Sequence, residues 1–197
     1  MTNASNDNHL FRPNSYIGRT VPRPNAKRLL NGRGNYTDDT KLPRMVHVAF
    51  LRSPYAHARI NKIDKNQAIK APGVVAVVDG HDIAKVCAPW VGVLAHLEGM
   101  KSAEQHALAI KKASWEGEPV VAIVASTRAL AEDALELINV EWDILPVVTD
   151  MEAALGEDAE VIHESLGDNL AWRRTMDAGD VGASFDHAAH IIEERYI

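Results

Sequence analysis

Val120-Val-Ala-Ile-Val-Ala125 is an all-apolar stretch, and it is the segment that decides the fold. This composition is typical of a strand that is covered on both faces. Ser126 or Thr127 can then accept a hydrogen bond from a free amide at the start of a helix, which we expect to run from Arg128 for about three turns. Residues 140–144 alternate apolar and acidic side chains, as in a strand with one wet face. A strand, a helix and a strand pack most simply as a right-handed crossover between parallel strands.

The segments before this unit carry weaker patterns. Strands are predicted over residues 45–52, 59–63 and 74–78, and a short helical turn over 65–70. The turn must end before Pro72, because the residue before a proline is pushed out of the α region. Residues 1 to about 30 are polar, contain three prolines and lack a helical period, which indicates an extended arm.

The segments after Pro146 have a different character. A short helix capped by Asp150 is expected over residues 150–155, and Gly179-Asp180 favours the start of another helix. Strands are expected over 170–175 and 191–197. An apolar strand at the last residue needs a neighbour, because an exposed strand edge invites pairing.

The bulk composition limits the class of protein. The chain has 197 residues, 46% of them hydrophobic, which fits one large globular domain, or one domain plus an appendage. A net charge of −6 argues against a nucleic-acid partner, because phosphate binding needs clustered Lys and Arg. No apolar run is long enough to cross a bilayer, and Met1–Asn14 lacks the core of a signal peptide. We therefore expect a cytoplasmic protein without a membrane partner.

The candidate chemical groups are few. Cys87 is the single cysteine, which excludes an internal disulfide and an iron–sulfur cluster held by this chain alone, and we expect it to be a small buried hydrophobe. His187 and His190 could share a metal only if one helix carries both, and the pattern changes towards a strand near Ala189. His47 is expected to form a hydrogen bond within the fold rather than to take part in catalysis.

Three further motifs fall short of a site. Glu116 and Glu118 could form a carboxylate pair, but we favour a solvated turn on which the two side chains diverge. Ser53 lacks the Gly-x-Ser-x-Gly elbow that would present a nucleophile. Gly32-Arg33-Gly34 lacks the third glycine of a dinucleotide fingerprint. From the residues alone we therefore assign no catalytic, cofactor-binding or metal-binding residue.

Besides residues 115–146, several separate stretches form recognisable motifs: 32–39 (GRGNYTDD), 52–60 (RSPYAHARI), 71–74 (APGV), 163–169 (HE and GDN) and 179–190 (GDV, with Ala183, Phe185, Ala188, Ala189 and His190). Together and in this order, they resemble the molybdenum-cofactor large subunits of the xanthine dehydrogenase, aldehyde oxidase and carbon monoxide dehydrogenase family. The resemblance runs from about Tyr16 to the last residue.

This resemblance implies an α/β fold, an a/b hammerhead domain with a mixed sheet and a β-α-β crossover. It implies an extended N-terminal arm over residues 1–31, the hammerhead domain over 32–146, and a linker with the first elements of a molybdopterin-binding domain over 147–197. In the family, the cofactor-binding loops and the catalytic glutamate come later in the large subunit. No catalytic residue can therefore be transferred to any position of this sequence.

The resemblance predicts an N-terminal scaffold portion, a split subunit or a fragment, of a molybdopterin-dependent hydroxylase or dehydrogenase, not catalytic alone. The complete enzyme would hydroxylate a carbon with oxygen from water. Its expected partners are the remainder of the large subunit and the subunits that carry iron–sulfur clusters and FAD. The alternative is a stand-alone hammerhead interaction module without oxidoreductase activity.

Overall fold

The computed structural model describes residues 16, 20–92, 94 and 96–196. The chain divides into two compact units, residues 1–45 and 46–197. The first unit contains helix α1 (Ala26–Leu30) and a 3₁₀ turn (Thr37–Asp39). The prediction of an extended arm as far as residue 30 was wrong at α1, because a helix of five residues is too short to show a period in the sequence.

The second unit contains two three-stranded sheets and short helices. Its strands are β1 (His47–Arg52), β2 (Ala58–Asp64), β3 (Val74–Asp79), β4 (Lys112–Ala113), β5 (Pro119–Ala125) and β6 (Asn139–Ile144). Its helices are α2 (Gly80–Ile83), α3 (Arg128–Leu135) and α4 (Val181–Asp186), with 3₁₀ turns at Ala68–Lys70, Ala153–Leu155 and Glu164–Leu166. The strands predicted before Pro146 and the turn near residue 68 are confirmed, whereas β4 and α2 are too short for a sequence pattern to reveal.

The strand order is β1-β5-β3 in the first sheet and β4-β2-β6 in the second. Every pair of these strands is antiparallel. A mixture of strands and helices is confirmed, but the mixed sheet and the parallel crossover were wrong. Strands β5 and β6 lie in different sheets, because each pairs with antiparallel partners that precede it in the chain, and α3 therefore connects the two sheets.

The core lies between the inner face of the first sheet and α3. Val121, Ile123 and Ala125 of β5 are buried together with Ala131 and Ala134 of α3. The Thr127 hydroxyl caps this helix by accepting a hydrogen bond from the Leu130 amide at 3.2 Å. Side chains of the second sheet complete the core; they are Ile60, Ile63 and Trp142. The helix has eight residues, which is shorter than the three turns predicted.

Residues 147–196, which we call the tail, contain little regular structure. The short helix predicted over residues 150–155 is only a 3₁₀ turn of three residues, Ala153–Leu155. The Asp150 carboxylate accepts hydrogen bonds from the amides of Glu152 and Ala153 at its start. Asp180 likewise caps α4. The strands predicted over 170–175 and 191–197 were wrong for every residue described there, because neither segment reaches a sheet edge with which to pair. Ile197 itself lies outside the described residues. Within the described residues, no helix has the length and apolarity needed to span a membrane.

Candidate functional site

Lys112 joins the second sheet to the tail. Strand β4 places Lys112 opposite Arg59 of β2, and its side chain is only 14% exposed. The Lys112 Nζ donates to the carbonyl oxygen of Ile162 at 2.5 Å and to Glu164 Oε2 at 2.8 Å. This hydrogen bond from the ammonium lowers the pKa of the Glu164 carboxyl.

Lys101 makes a similar pair of contacts with tail residues that lie a few positions later. Its Nζ donates to the carbonyl oxygen of Leu166 at 3.3 Å and also to the carboxylate of Asp168, whose pKa it lowers. The backbone amide of Lys101 donates to the carbonyl oxygen of Ala171 at 2.8 Å. Each lysine thus binds one backbone carbonyl and one carboxylate. The acceptors of Lys112 lie before and at the start of the turn Glu164–Leu166, and those of Lys101 lie at and after its end. We call these two arrangements the lysine clamps.

Asn169 organises the tail between the clamps. Its Oδ1 accepts from the Ile162 amide at 3.0 Å, and its Nδ2 donates to the carbonyl oxygens of Glu160 and Ala154 at 2.8 and 3.1 Å. Farther along, the Trp172 Nε1 donates to the carbonyl oxygen of Glu98. These bonds give the tail a defined path over the second unit, although it lacks helices and strands there.

His57 lies where the chain leaves β6. Its side chain is fully buried, and its Nδ1 lies 2.7 Å from the carbonyl oxygen of Pro146. Since a carbonyl can only accept, Nδ1 carries the proton. The buried Nε2 has no hydrogen-bond partner among the described residues. The Leu145 amide also donates to the carbonyl oxygen of His57 at 2.9 Å. His57 therefore holds the two residues that follow β6, Leu145 through its backbone and Pro146 through its side chain.

Ser53 has a structural environment rather than that of a nucleophile. Its buried hydroxyl donates to the carbonyl oxygen of Tyr55 at 2.7 Å and accepts from the Tyr55 amide at 3.1 Å. Its backbone amide and carbonyl bond to Glu118 and Gly117. The hydroxyl thus closes a local turn and has no general base beside it in the described contacts.

Of the two glutamates of the Gly-Glu-Pro turn, only Glu116 is solvated. Glu118 is half-buried, and its Oε2 accepts a hydrogen bond from the Ser114 amide at 2.6 Å. Burial raises the pKa of the Glu118 carboxyl. The expectation of a fully solvated turn was wrong here, because the carboxylate satisfies a backbone amide of the adjoining loop.

The remaining candidates do not come together. Helix α4 ends at Asp186, so His187 is its C-cap and His190 lies beyond it, both exposed. Among the described residues, no group of three or more His, Cys, Asp or Glu side chains could hold a metal ion. Cys87 is exposed, so its predicted burial was wrong; the irregular segment that follows α2 carries it away from the core.

A groove of about 690 Å³ opens beside the first clamp, with Lys112, Glu118, His163 and Glu164 in its lining. Burial, and then the charge of Lys112, lowers the pKa of His163. Two of its charged groups bind backbone atoms: Lys112 donates to the tail, and Glu118 accepts from the Ser114 amide. These contacts hold backbone segments in place on both sides of the groove.

Sequence reasoning missed both clamps. Their partners are 50 to 67 residues apart, and nothing in the pattern around Lys101 or Lys112 singles them out. The available signal is on the tail side, where Glu164 and Asp168 lie within residues 163–169, one of the segments that carry the family resemblance.

A family model described as "Aldehyde oxidase and xanthine dehydrogenase, a/b hammerhead domain" matches residues 31–146. The chain belongs to this family. The hammerhead fold that the sequence motifs implied is confirmed by this match and by the solved relatives. The matched segment includes both sheets, α3 and the lysines of both clamps.

Several relatives of known function are similar over most of this chain. The nicotine 6-hydroxylase large subunit of Paenarthrobacter nicotinovorans is 37% identical over 193 residues, which cover 95% of this chain and 23% of the relative. The carbon monoxide dehydrogenase large chain of Hydrogenophaga pseudoflava is 41% identical over 148 residues, which cover 74% and 18%.

The crystal structure of quinoline 2-oxidoreductase from Pseudomonas putida 86 has a TM-score of 0.80 and 41% sequence identity. The match covers 89% of this chain and 22% of the solved one. The chain thus spans less than a quarter of the length of these relatives.

Proposed function

We propose that this chain is the N-terminal scaffold portion of the large subunit of a molybdopterin-dependent hydroxylase or dehydrogenase, and that it is not catalytic alone. The observation that carries this proposal is the similarity to the nicotine 6-hydroxylase large subunit over 95% of the present chain. Another relative, from Escherichia coli O157:H7, is named a xanthine dehydrogenase molybdenum-binding subunit and is 34% identical over 175 residues.

The proposed division is an N-terminal arm over residues 1–31, the hammerhead domain over 32–146, and a linker with the first elements of the molybdopterin-binding domain over 147–197. The lysine clamps support a scaffolding role for the hammerhead. They hold residues 162–168 by backbone carbonyls as well as by carboxylates, so they fix the path of the chain and not only its side chains.

Molybdopterin would supply the redox chemistry of the complete enzyme, with iron–sulfur clusters and FAD on partner subunits. The described residues contain no donor cluster that fits a metal ion, so no residue of this chain is assigned to the cofactor. One relative is named as a subunit of a dehydrogenase complex, the 6-hydroxypseudooxynicotine dehydrogenase complex subunit gamma, which supports an assembly of several chains.

A chimera tests the proposal. In the nicotine 6-hydroxylase large subunit, the matched segment is replaced by residues 1–197 of this chain and the subunit is expressed with its partners. We expect the chimera to contain molybdopterin and the isolated chain to contain none and to lack dehydrogenase activity. Molybdopterin or activity in the isolated chain would overturn the proposal. An isolated chain that captures no molybdopterin-containing polypeptide, together with an empty chimera, would support the stand-alone interaction module instead.

A further inference from the structure

The first sheet has an apolar outer face. Alternate residues of β5 point to opposite sides, and since Val121, Ile123 and Ala125 are in the core, Ala122 and Val124 face outward. Val120 lies on the same side as these two and is fully buried, so the outer face is covered at that end and open beyond it. The strand register places apolar residues of β1 and β3 beside these two. The outer face consists of two cross-strand rows, Val48–Val124–Ala76 and Phe50–Ala122–Val78.

This outer face is partly exposed. Val48 is 49% exposed and Phe50 is 44% exposed, and none of the six residues belongs to the core cluster or to the side chains packed on it. The Arg52 guanidinium lies over the Phe50 ring, 5.7 Å from its centroid. The opposite face of the same sheet is covered by α3.

Strand β5 has the composition of a strand buried on both sides. Its outward residues are as apolar as its inward ones, and a sheet with one wet face would alternate apolar and polar residues there. Strand β6 shows that alternation, with Glu141 and Asp143 between apolar residues. The composition of β5 therefore fits a sheet with a second covering layer, which the described residues of the second unit provide at Val120 but not over Val48 and Phe50.

We infer that the outer face docks onto the remainder of a large subunit, whether that remainder belongs to the same polypeptide or to a second one. This inference rests on the proposed function. The relatives that contain this domain carry more than three quarters of their length outside the matched segment, which is enough chain to supply a covering layer for this face. The six outer-face residues carry no charge, which suits the apolar core of a permanent interface.

Cysteine labelling tests the docking. Val48→Cys places a thiol on the outer face, and the exposed Cys87 serves as an internal reference in the same molecule. The variant is labelled with a maleimide in the isolated chain and in the nicotine 6-hydroxylase chimera, and both peptides are quantified by mass spectrometry. We expect the labelling rate at position 48, relative to Cys87, to fall at least about tenfold in the chimera, since a docked thiol reacts only when the interface opens.

The outcomes separate this inference from the proposed function. Unchanged labelling in a chimera that contains molybdopterin overturns the docking and leaves the proposed function intact. Protection at position 48 in a chimera without molybdopterin supports the docking and counts against the proposed function. Protection in the isolated chain that rises with concentration, together with a dimer mass from light scattering, identifies a second copy as the occupant and overturns the inference.

A second measurement applies if the chimera does not accumulate. The tagged chain is co-expressed with the rest of the nicotine 6-hydroxylase large subunit as a separate polypeptide, and the captured amount is compared for Val48→Asp and Val147→Asp. These two valines are 49% and 50% exposed, and Val147 lies outside the first sheet. We expect Val48→Asp to lower capture about tenfold, because it places a charge in an apolar interface, and Val147→Asp to leave it unchanged. Equal capture by the two variants overturns the docking.

Discussion

The Lys112 Nζ lies 2.8 Å from Glu164 Oε2, which joins β4 to a segment 52 residues later in the chain. The lysine side chain is 14% exposed and the glutamate side chain 64% exposed, so a largely buried ammonium reaches a carboxylate at the surface. The same ammonium binds the Ile162 carbonyl oxygen at 2.5 Å. Because that acceptor belongs to the backbone, the contact fixes the path of the tail and not merely the rotamer of Glu164.

Replacing Lys112 should loosen the tail without unfolding the hammerhead. Lys112→Met keeps most of the buried aliphatic stem and removes the ammonium, which leaves the Ile162 carbonyl without its donor. We expect the free energy of unfolding to fall by about 1–3 kcal/mol, the usual cost of an unsatisfied buried group. Urea denaturation measures this change, and limited proteolysis should show faster cleavage between residues 147 and 170.

Lys62→Met is the matched control. Lys62 pairs with Glu141 at 3.3 Å, and the side chains of both are more than half exposed. We expect its loss to cost no more than about 0.5 kcal/mol, because solvent screens an exposed ion pair. If both variants lost the same stability, with no extra cleavage in the tail of Lys112→Met, the clamp would have no anchoring role.

His57 should matter through its protonated ring nitrogen. His57→Ala removes a fully buried ring and the donor to the Pro146 carbonyl, and we expect it to cost about 2–4 kcal/mol. His57→Asn places an amide nitrogen near the position of Nδ1, so it should recover part of that loss, whereas His57→Leu should not. Thermal unfolding of the three variants decides this, and an Asn variant no more stable than the Leu variant would contradict it.

The sequence predicted the elements of the hammerhead better than their arrangement. The apolar run at Val120–Ala125 and the Thr127 cap are local features, and both appear in the structure as expected. The pairing of β5 with β1 and β3 depends on contacts between residues far apart in the chain, which a local pattern does not encode. A strand-helix-strand order was therefore compatible with a parallel crossover, although α3 connects two separate antiparallel sheets.

The tail and the candidate site were harder to predict for the same reason. Ile191, Ile192 and Tyr196 gave residues 191–196 the look of a strand, but three charged residues lie between them, and a strand exists only where a partner edge is available. Lys101 and Lys112 are ordinary surface residues in a one-dimensional reading, and only the fold brings them to carbonyls of the tail. The half-buried state of Glu118 likewise depends on the loop that supplies the Ser114 amide.

Gly73 in the APGV motif should be more sensitive to an added side chain than Gly99. It has φ +74°, and a Cβ there would lie 2.5 Å from Leu130 Cδ1 and 2.9 Å from the Ser126 hydroxyl, so both side chains would have to shift. Gly99 has φ +76°, and among the described residues no atom beyond its chain neighbours lies within 4 Å of the same position, so it shares the backbone strain without the collision. We expect Gly99→Ala to cost about 1 kcal/mol and Gly73→Ala about 2–4 kcal/mol, measured by urea denaturation. Equal costs would show that Leu130 yields freely.

Glu118 should give the protein a pH dependence opposite in sign to that of the clamp carboxylates. Burial raises the pKa of Glu118 above its ordinary value of 4.5, so the folded state holds this proton more tightly than the unfolded state. Its contribution to stability is then fully present below pH 4.5 and is lost as the pH rises through the raised pKa. Glu164 has a lowered pKa, so its contribution is present above the ordinary value and is lost on acidification.

Glu118→Gln isolates the Glu118 contribution. The amide oxygen of glutamine can still accept from the Ser114 amide, while the cost of burying a charge disappears. We expect the variant to be more stable than the parent at neutral pH, and the difference to shrink as the pH falls below the raised pKa, because the parent carboxyl becomes neutral as well. Urea denaturation across this range measures the difference, with Glu116→Gln, at the exposed neighbour, as the control. Two outcomes would contradict this expectation: a Glu118→Gln variant that is less stable than the parent at neutral pH, or a difference in stability that does not depend on pH. Either would show that the Ser114 amide and the nearby Lys112 favour the ionised carboxylate.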